Sequence, residues 1–223
     1  MARVTTILTP LQQKLLDLIF SNVAIKNKFY LSGGTALSEF YLHHRFSEDL
    51  DFFTDEADID PLAIQVLLKS ISKKIGILKI DFQQSFNRNL FFLHFKNEII
   101  KTEFTYFPFV QIEKPTRIGN ISVDSLIDIA TNKTFTIYQK PKSRDFIDLY
   151  QILTKENWSF EDLKKKARIK FDTAIDPIQL ASQLLKVSEL EDYPKMILNF
   201  DLKSIQNFWI QKALDLKNEA LAK

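Results

Sequence analysis

The stretch of this chain best equipped for chemistry runs from Phe29 to Thr54, FYLSGGTALSEFYLHHRFSEDLDFFT. A short apolar run, Phe29-Tyr30-Leu31, stops at Ser32-Gly33-Gly34-Thr35. The chain has only 4 Gly in 223 residues, so two adjacent ones mark a deliberate backbone feature. Glycine accepts positive φ and lets a ligand approach the main chain. Thr35 leads into a helix-compatible segment, Ala36 to His43, and the free N–H groups and dipole of a helix start favour a phosphate. Past the polar corner Arg45 to Glu48 comes a strand, Asp49-Leu50-Asp51-Phe52-Phe53. Strand side chains alternate, so Asp49 and Asp51 share one face while Leu50 and Phe52 turn towards a core. Two carboxylates on one face repel unless a cation lies between them. Mg²⁺, a hard ion that binds carboxylates and substrate phosphates, suits that pair.

A glycine-hydroxyl turn opening a helix, opposite a strand carrying Asp-x-Asp, is the constellation for nucleotidyl transfer, where a triphosphate and two metal ions are held in line. Each half has a plainer reading alone: Gly-Gly as a simple turn, Asp-x-Asp as a solvated strand face. Their order and separation give the pair its meaning.

The segment LSGGTALSEFYLHHRFSEDLDFF resembles the signature of the AbiEii/AbiGii-type nucleotidyltransferase toxins, within the DNA polymerase β-like nucleotidyltransferase superfamily. Thr35 stands where that superfamily more often has Ser, and the hydroxyl is kept. The resemblance covers roughly residues 25 to 155. It implies transfer of a nucleoside monophosphate from an NTP, with pyrophosphate released. Asp49 and Asp51 would hold Mg²⁺ (or Mn²⁺), and Gly33, Gly34 and Thr35 would cradle the triphosphate. The superfamily draws a third metal-site carboxylate from a neighbouring strand; Glu103, within Lys101-Thr102-Glu103-Phe104, is the candidate, with Asp81 second. His44-Arg45-Phe46-Ser47-Glu48 matches the family's corner, where Arg45 either meets a phosphate or pairs with Glu48 or Asp49.

A second cluster, DIATNKTFTIYQKPKSRDFIDLY, resembles the family's lysine helix followed by a helix opening Arg-Asp-x-x-Asp-Leu. Lys133 matches the lysine, and Arg144, Asp145 and Asp148 match the second helix. Asp145 and Asp148 are three apart and share a helix face, with Asp145 in the first turn where the dipole favours a carboxylate. Lys133 would neutralise the triphosphate as a mobile point charge. The two carboxylates would orient it, act as a general base or hydrogen-bond the nucleotide. The alternative is a salt-bridged helix pair with no chemistry.

The elements that must position these residues follow from periodicity. Thr9-Pro10 starts a packing helix over residues 9 to 26. Asp60-Pro61 starts another, to about Lys74, with Ile64, Val66, Leu67, Leu68 and Ile71 inward. Strands are expected at Ile77 to Phe82, Leu90 to Phe95 and Ile99 to Phe107, with Asn87-Arg88-Asn89 as a hairpin turn. A helix is expected to start at Ser122 or Asp124, carrying Val123 inward, and all beyond it reads helical. The expected fold is α/β (α+β): a short mixed sheet flanked by helices over residues 1–120, then a helical half over 121–223 completing the active-site cleft.

Composition narrows the class. Hydrophobic residues make up 45% and there are 20 Phe, enough for an aromatic core. A net charge of +2 says little about partners, but Lys140, Lys142, Arg144, Lys164, Lys165, Lys166, Arg168 and Lys170 make the helical half locally basic, as an RNA acceptor would require. A solvated helix face is the plainer reading of that run. With no cysteine, disulfide and thiol chemistry are excluded. The three histidines do not build a metal site. No signal peptide or membrane-length apolar run is seen, so a cytoplasmic protein is expected. The resemblance adds a toxin–antitoxin or phage-defence role, a cognate antitoxin, and a tRNA 3′ end or protein as acceptor. A non-catalytic nucleotide- or RNA-binding module on the same fold is the alternative.

Overall fold

Caps written in the sequence set the first helices of the computed structural model, which describes residues 6–221. Thr9 accepts a hydrogen bond from the Gln12 N–H while the Gln12 side chain accepts one from the Thr9 N–H, a capping box with Pro10 in the first turn. The helix they open, α1 (Pro10–Phe20), buries Leu15, Leu16, Ile19 and Phe20. Asn22 caps a separate short helix, α2 (Val23–Lys28). Asp60 caps α4 (Pro61–Ile75), whose inward stripe is Ile64, Leu68 and Ile71. Val66, expected inward, is 67% exposed because it falls off that stripe.

Among the described residues seven strands form one mixed sheet, as expected for the class: β1 (Tyr30–Ser32), β2 (Leu50–Thr54), β3 (Lys79–Ser85), β4 (Arg88–His94), β5 (Ile99–Tyr106), β6 (Thr116–Ile118) and β7 (Ile121–Val123). Their order is β3-β4-β5-β2-β1-β7-β6. The pairs β2–β5 and β1–β7 are parallel, and the rest are antiparallel. One face packs an aromatic core: Phe52 and Phe104 stack at 4.6 Å, with Phe20, Phe29 and Phe91 around them. These rings supply both large buried area and specific edge and face contacts.

Three local expectations are corrected. The helix after the glycines begins at Gly33, not Ala36: α3 (Gly33–Leu37) runs into a π-helical turn over Ser38–Leu42 and stops at His43, which has φ 49°. The β3–β4 hairpin turns at Phe86 and Asn87, so Arg88 is the first residue of a strand. Val123 lies in β7, paired with Leu31, rather than in a helix.

The chain divides into two compact units, Met1–Leu126 and Ile127–Lys223. The second is helical: α5 (Leu126–Gln139), α6 (Ser143–Glu156), α7 (Phe160–Lys170), α8 (Pro177–Leu185) and α9 (Leu202–Leu221). Its centre is Trp209, fully buried against Phe146, Phe160 and Phe208, with its indole N–H donating to the Phe146 carbonyl at 3.1 Å.

Candidate active site

The parallel pairing of β2 with β5 sets Asp51 opposite Glu103, and Phe52 opposite Phe104. Alternation then divides the two strands: the phenylalanines enter the core and the carboxylates share the other face. Asp49, one residue before β2, keeps the parity of Asp51. Its Oδ2 accepts from Lys101 Nζ at 2.7 Å, and Lys101 has the parity of Glu103.

Asp49 and Glu103 are each held by a base. Arg88 forks onto Glu103, with Nε to Oε1 and Nη2 to Oε2 both at 2.6 Å, and the Thr105 hydroxyl donates to Oε1 at 2.8 Å. Burial pushes the Glu103 carboxyl up, but the Arg88 fork, the Thr105 hydroxyl and nearby Lys101 outweigh it and hold the group below the ordinary carboxylate value. Charge-assisted, bidentate bonds of this kind are among the strongest a side chain makes. Asp81 belongs to another group, pairing with Lys79 and His94 on β3 and β4.

The glycine turn abuts this face. Ser32 pairs with Asp51 across β1 and β2. Gly33 has φ +71°, and a Cβ built on it would lie 2.4 Å from Asp51 Oδ2. No other residue fits there, on conformational and steric grounds alike. A Cβ on Gly34 would lie 2.6 Å from Arg45 Nη2 and 3.0 Å from Ser47 Oγ. Arg45 is only 2% exposed and donates through Nη1 to the Phe46 carbonyl at 2.9 Å, so its guanidinium underpins the turn and its corner. The corner is also tied to α1, since Gln12 Nε2 donates to the carbonyls of Ser47 and Glu48. Thr35 is fully buried, and its hydroxyl donates to the Asp49 carbonyl. That hydroxyl positions an acid. Ser32 likewise donates to Asp124 Oδ2 at 2.6 Å and does not cap α3 through its side chain.

In the helical unit Lys133 on α5 reaches two carboxylates of α6, Asp145 at 3.0 Å and Asp148 at 2.7 Å. All three are nearly inaccessible. Asp145 also accepts the Lys142 N–H, closing the first turn of α6. A second buried pair, Lys170 with Asp128 at 2.5 Å, joins α7 to α5. The basic run on α7 is therefore partly neutralised: Lys170 is internal, and Lys164 and Lys165 meet Glu161 and Asp162 one turn back.

Oxygen donors of hard character on one sheet face fit a divalent ion such as Mg²⁺ in chemistry. Among the described residues, no three acidic or histidine side chains converge as metal ligands in their present rotamers, since Asp49 is turned to Lys101 and Glu103 to Arg88. Sequence reasoning passed over Arg88, Lys101 as a charge partner, Asp124 and the Lys170–Asp128 pair. The period-2 pattern of β4, which gives Arg88 the parity of Leu90 opposite Glu103, was the signal for the first. Among the described residues no helix is long and apolar enough to cross a membrane.

The chain resembles known proteins in sequence and in fold. An uncharacterised protein of Aquifex aeolicus (strain VF5) is 32% identical over 165 residues, 72% of this chain and 74% of that protein. Two solved structures share the fold. JHP933 from Helicobacter pylori is 22% identical with a TM-score of 0.59, over 93% of this chain and 90% of its own. MenT4, a nucleotidyltransferase toxin from Mycobacterium tuberculosis H37Rv, is 14% identical with a TM-score of 0.59, over 92% and 81% respectively. The family model for the nucleotidyl transferase AbiEii toxin of type IV toxin–antitoxin systems matches residues 14–209. This chain belongs to the AbiEii nucleotidyltransferase toxin family.

Proposed function

We propose that the chain transfers a nucleoside monophosphate from an NTP to an acceptor hydroxyl and releases pyrophosphate. The reading rests above all on one adjacency: Asp51 faces Glu103 across parallel strands while Gly33 lies against its carboxylate. Asp49, Asp51 and Glu103 would hold Mg²⁺ or Mn²⁺. Such an ion would neutralise charge building on the phosphate oxygens. Main-chain N–H groups of Gly33, Gly34 and Thr35, at the start of α3, would grip the triphosphate. Arg45 would brace that turn from beneath, and Thr35 would fix the backbone of Asp49. The acceptor oxygen bonds to the α-phosphorus as the bond to the β-phosphate oxygen breaks, and the hydroxyl proton passes to a carboxylate. Lys133, held by Asp145 and Asp148, is assigned to charge balance at the nucleotide. The acceptor is proposed as a tRNA 3′ end or a protein hydroxyl, in the cytoplasm, under the control of a cognate antitoxin and in a phage-defence setting.

The test is incubation with each α-labelled NTP, Mg²⁺ and total tRNA, or cell protein in place of tRNA. Label is expected to move to one acceptor class and to vanish with Asp51→Ala. Nucleotide binding without transfer to either class would instead support a binding module.

A further inference from the structure

The face that carries the three acids also carries two bases that the nucleotidyl-transfer reading leaves without a role. Arg88 on β4 forks onto Glu103; Lys101 on β5 binds Asp49 at 2.7 Å and stands 3.9 Å from Glu103 Oε2. The fields of Asp51 and Asp49 also reach the Arg88 guanidinium. Resting on that reading, we propose that Arg88 and Lys101 are triphosphate-binding residues. They neutralise the metal-site carboxylates before the nucleotide arrives and exchange them for phosphate oxygens when it does.

Three features carry this. First, the pairs lie outside the aromatic core, because Glu103 and Asp49 sit on the face opposite Phe52 and Phe104. Second, exposure is lopsided. The Glu103 side chain is 5% exposed, while that of Arg88 is 52% exposed at the first position of its strand, beside the turn at Phe86 and Asn87. A buried acid paired with a half-exposed base leaves the base free to swing on its long stem. Third, the chemistry matches the incoming group. A guanidinium fork fits two oxygens of a phosphate as readily as two of a carboxylate, and an ammonium serves as a point charge for a third. The exchange also balances charge: a metal-bound triphosphate brings cations for the acids and anions for the bases.

A structural role for the pairs predicts the opposite responses, so direct binding to the full chain decides the matter without reference to turnover. Free Mn²⁺ is measured by electron paramagnetic resonance in titrations of the wild type, Arg88→Met, Lys101→Met and Asp51→Asn. Binding of inorganic triphosphate with Mg²⁺ is measured by calorimetry on the same set. Without triphosphate, Arg88→Met and Lys101→Met are expected to bind Mn²⁺ roughly five- to tenfold more tightly than the wild type, having lost a competing cation. Both are expected to bind triphosphate at least about fivefold more weakly. If Mn²⁺ binds the wild type and is lost in Asp51→Asn, but the two cation variants bind it no better or take triphosphate normally, this inference is overturned and the metal reading stands. If Asp51→Asn leaves Mn²⁺ binding unchanged, the metal reading itself fails and the inference goes with it. Should Arg88→Met not fold, Lys101→Met carries the test alone, since its partner Asp49 is already 36% exposed.

Discussion

Lys170 and Asp128 face each other at 2.5 Å with side chains 2% and 0% exposed, an ion pair sealed between α7 and α5. Removing one member of a buried pair strands the other charge, which costs far more than the pair's net worth. Lys170→Met is expected to lower unfolding free energy by about 3 to 5 kcal/mol, and Lys170→Met with Asp128→Leu to recover most of it. Urea denaturation of the three proteins measures both.

The two glycines of the turn differ in what they tolerate. Gly33 has positive φ and the Asp51 carboxylate against it, whereas Gly34 meets the end of a long arginine. Gly33→Ala is expected to cost about 1 to 3 kcal/mol of backbone strain and to reduce transfer at least about a hundredfold by displacing Asp51. Gly34→Ala carries no positive-φ penalty and displaces Arg45 rather than Asp51, so it is expected to retain more of both. Thermal melts and label transfer from NTP distinguish them.

Glu103 gives a pH signature. Its carboxyl sits below the ordinary value near 4.5 in the folded chain, so the unfolded chain binds more protons as pH falls past that value. The stabilisation is full above about pH 4.5 and is lost as pH drops through the lowered folded value. With Arg88→Met, only Thr105 and Lys101 remain to oppose burial, so the Glu103 contribution shrinks. Urea midpoints from pH 3 to pH 7 for the wild type and the variant are expected to diverge in slope over that window.

Thr35 separates a positioning hydroxyl from a merely buried one. Thr35→Ser keeps the bond to the Asp49 carbonyl and is expected to act like the wild type. Thr35→Val, nearly isosteric, is expected to lose about 1 kcal/mol of stability and roughly tenfold in transfer as Asp49 drifts. A full rate in Thr35→Val would rule out the positioning role.

Lys133 contacts both Asp145 and Asp148. Lys133→Ala is expected to destabilise by about 3 kcal/mol through the acids it leaves behind. If its charge also serves the nucleotide, NTP affinity falls at temperatures where the variant remains folded. Unchanged NTP binding in folded Lys133→Ala would reduce the group to a helix clasp.

Much of this was legible in the chain because local rules carried it. Thr9-Pro10 and Asp60-Pro61 are helix starts in themselves, and alternation alone put Asp51 opposite the core face from Phe52. Asp145 in the first turn of α6 followed from the resemblance to a helix opening Arg-Asp-x-x-Asp-Leu. What local rules could not reach were pairings made far along the chain. β7 has three residues, and its strand character comes from lying beside β1, so Ser122 and Val123 read as part of a helix start. Arg88 sat next to Asn87 and passed for a turn residue; only the register of β4 on β5 aims it at Glu103. The lysines of α7 read as a locally basic run, and the acidic partners of Lys164 and Lys165 three residues back were not weighed there.

The strand order has a consequence for how the toxin comes into being. The Asp49–Lys101 bond spans 52 residues and the Ser32–Asp124 bond spans 92. Such distant closures are slow to form and cannot precede synthesis of their later half. A nascent chain still lacking β5 and β7 has its glycine turn beside Asp49 and Asp51, with β1 paired to β2, but has neither Glu103 and Lys101 nor Asp124. The face of three acids is therefore complete only once β5 has been made.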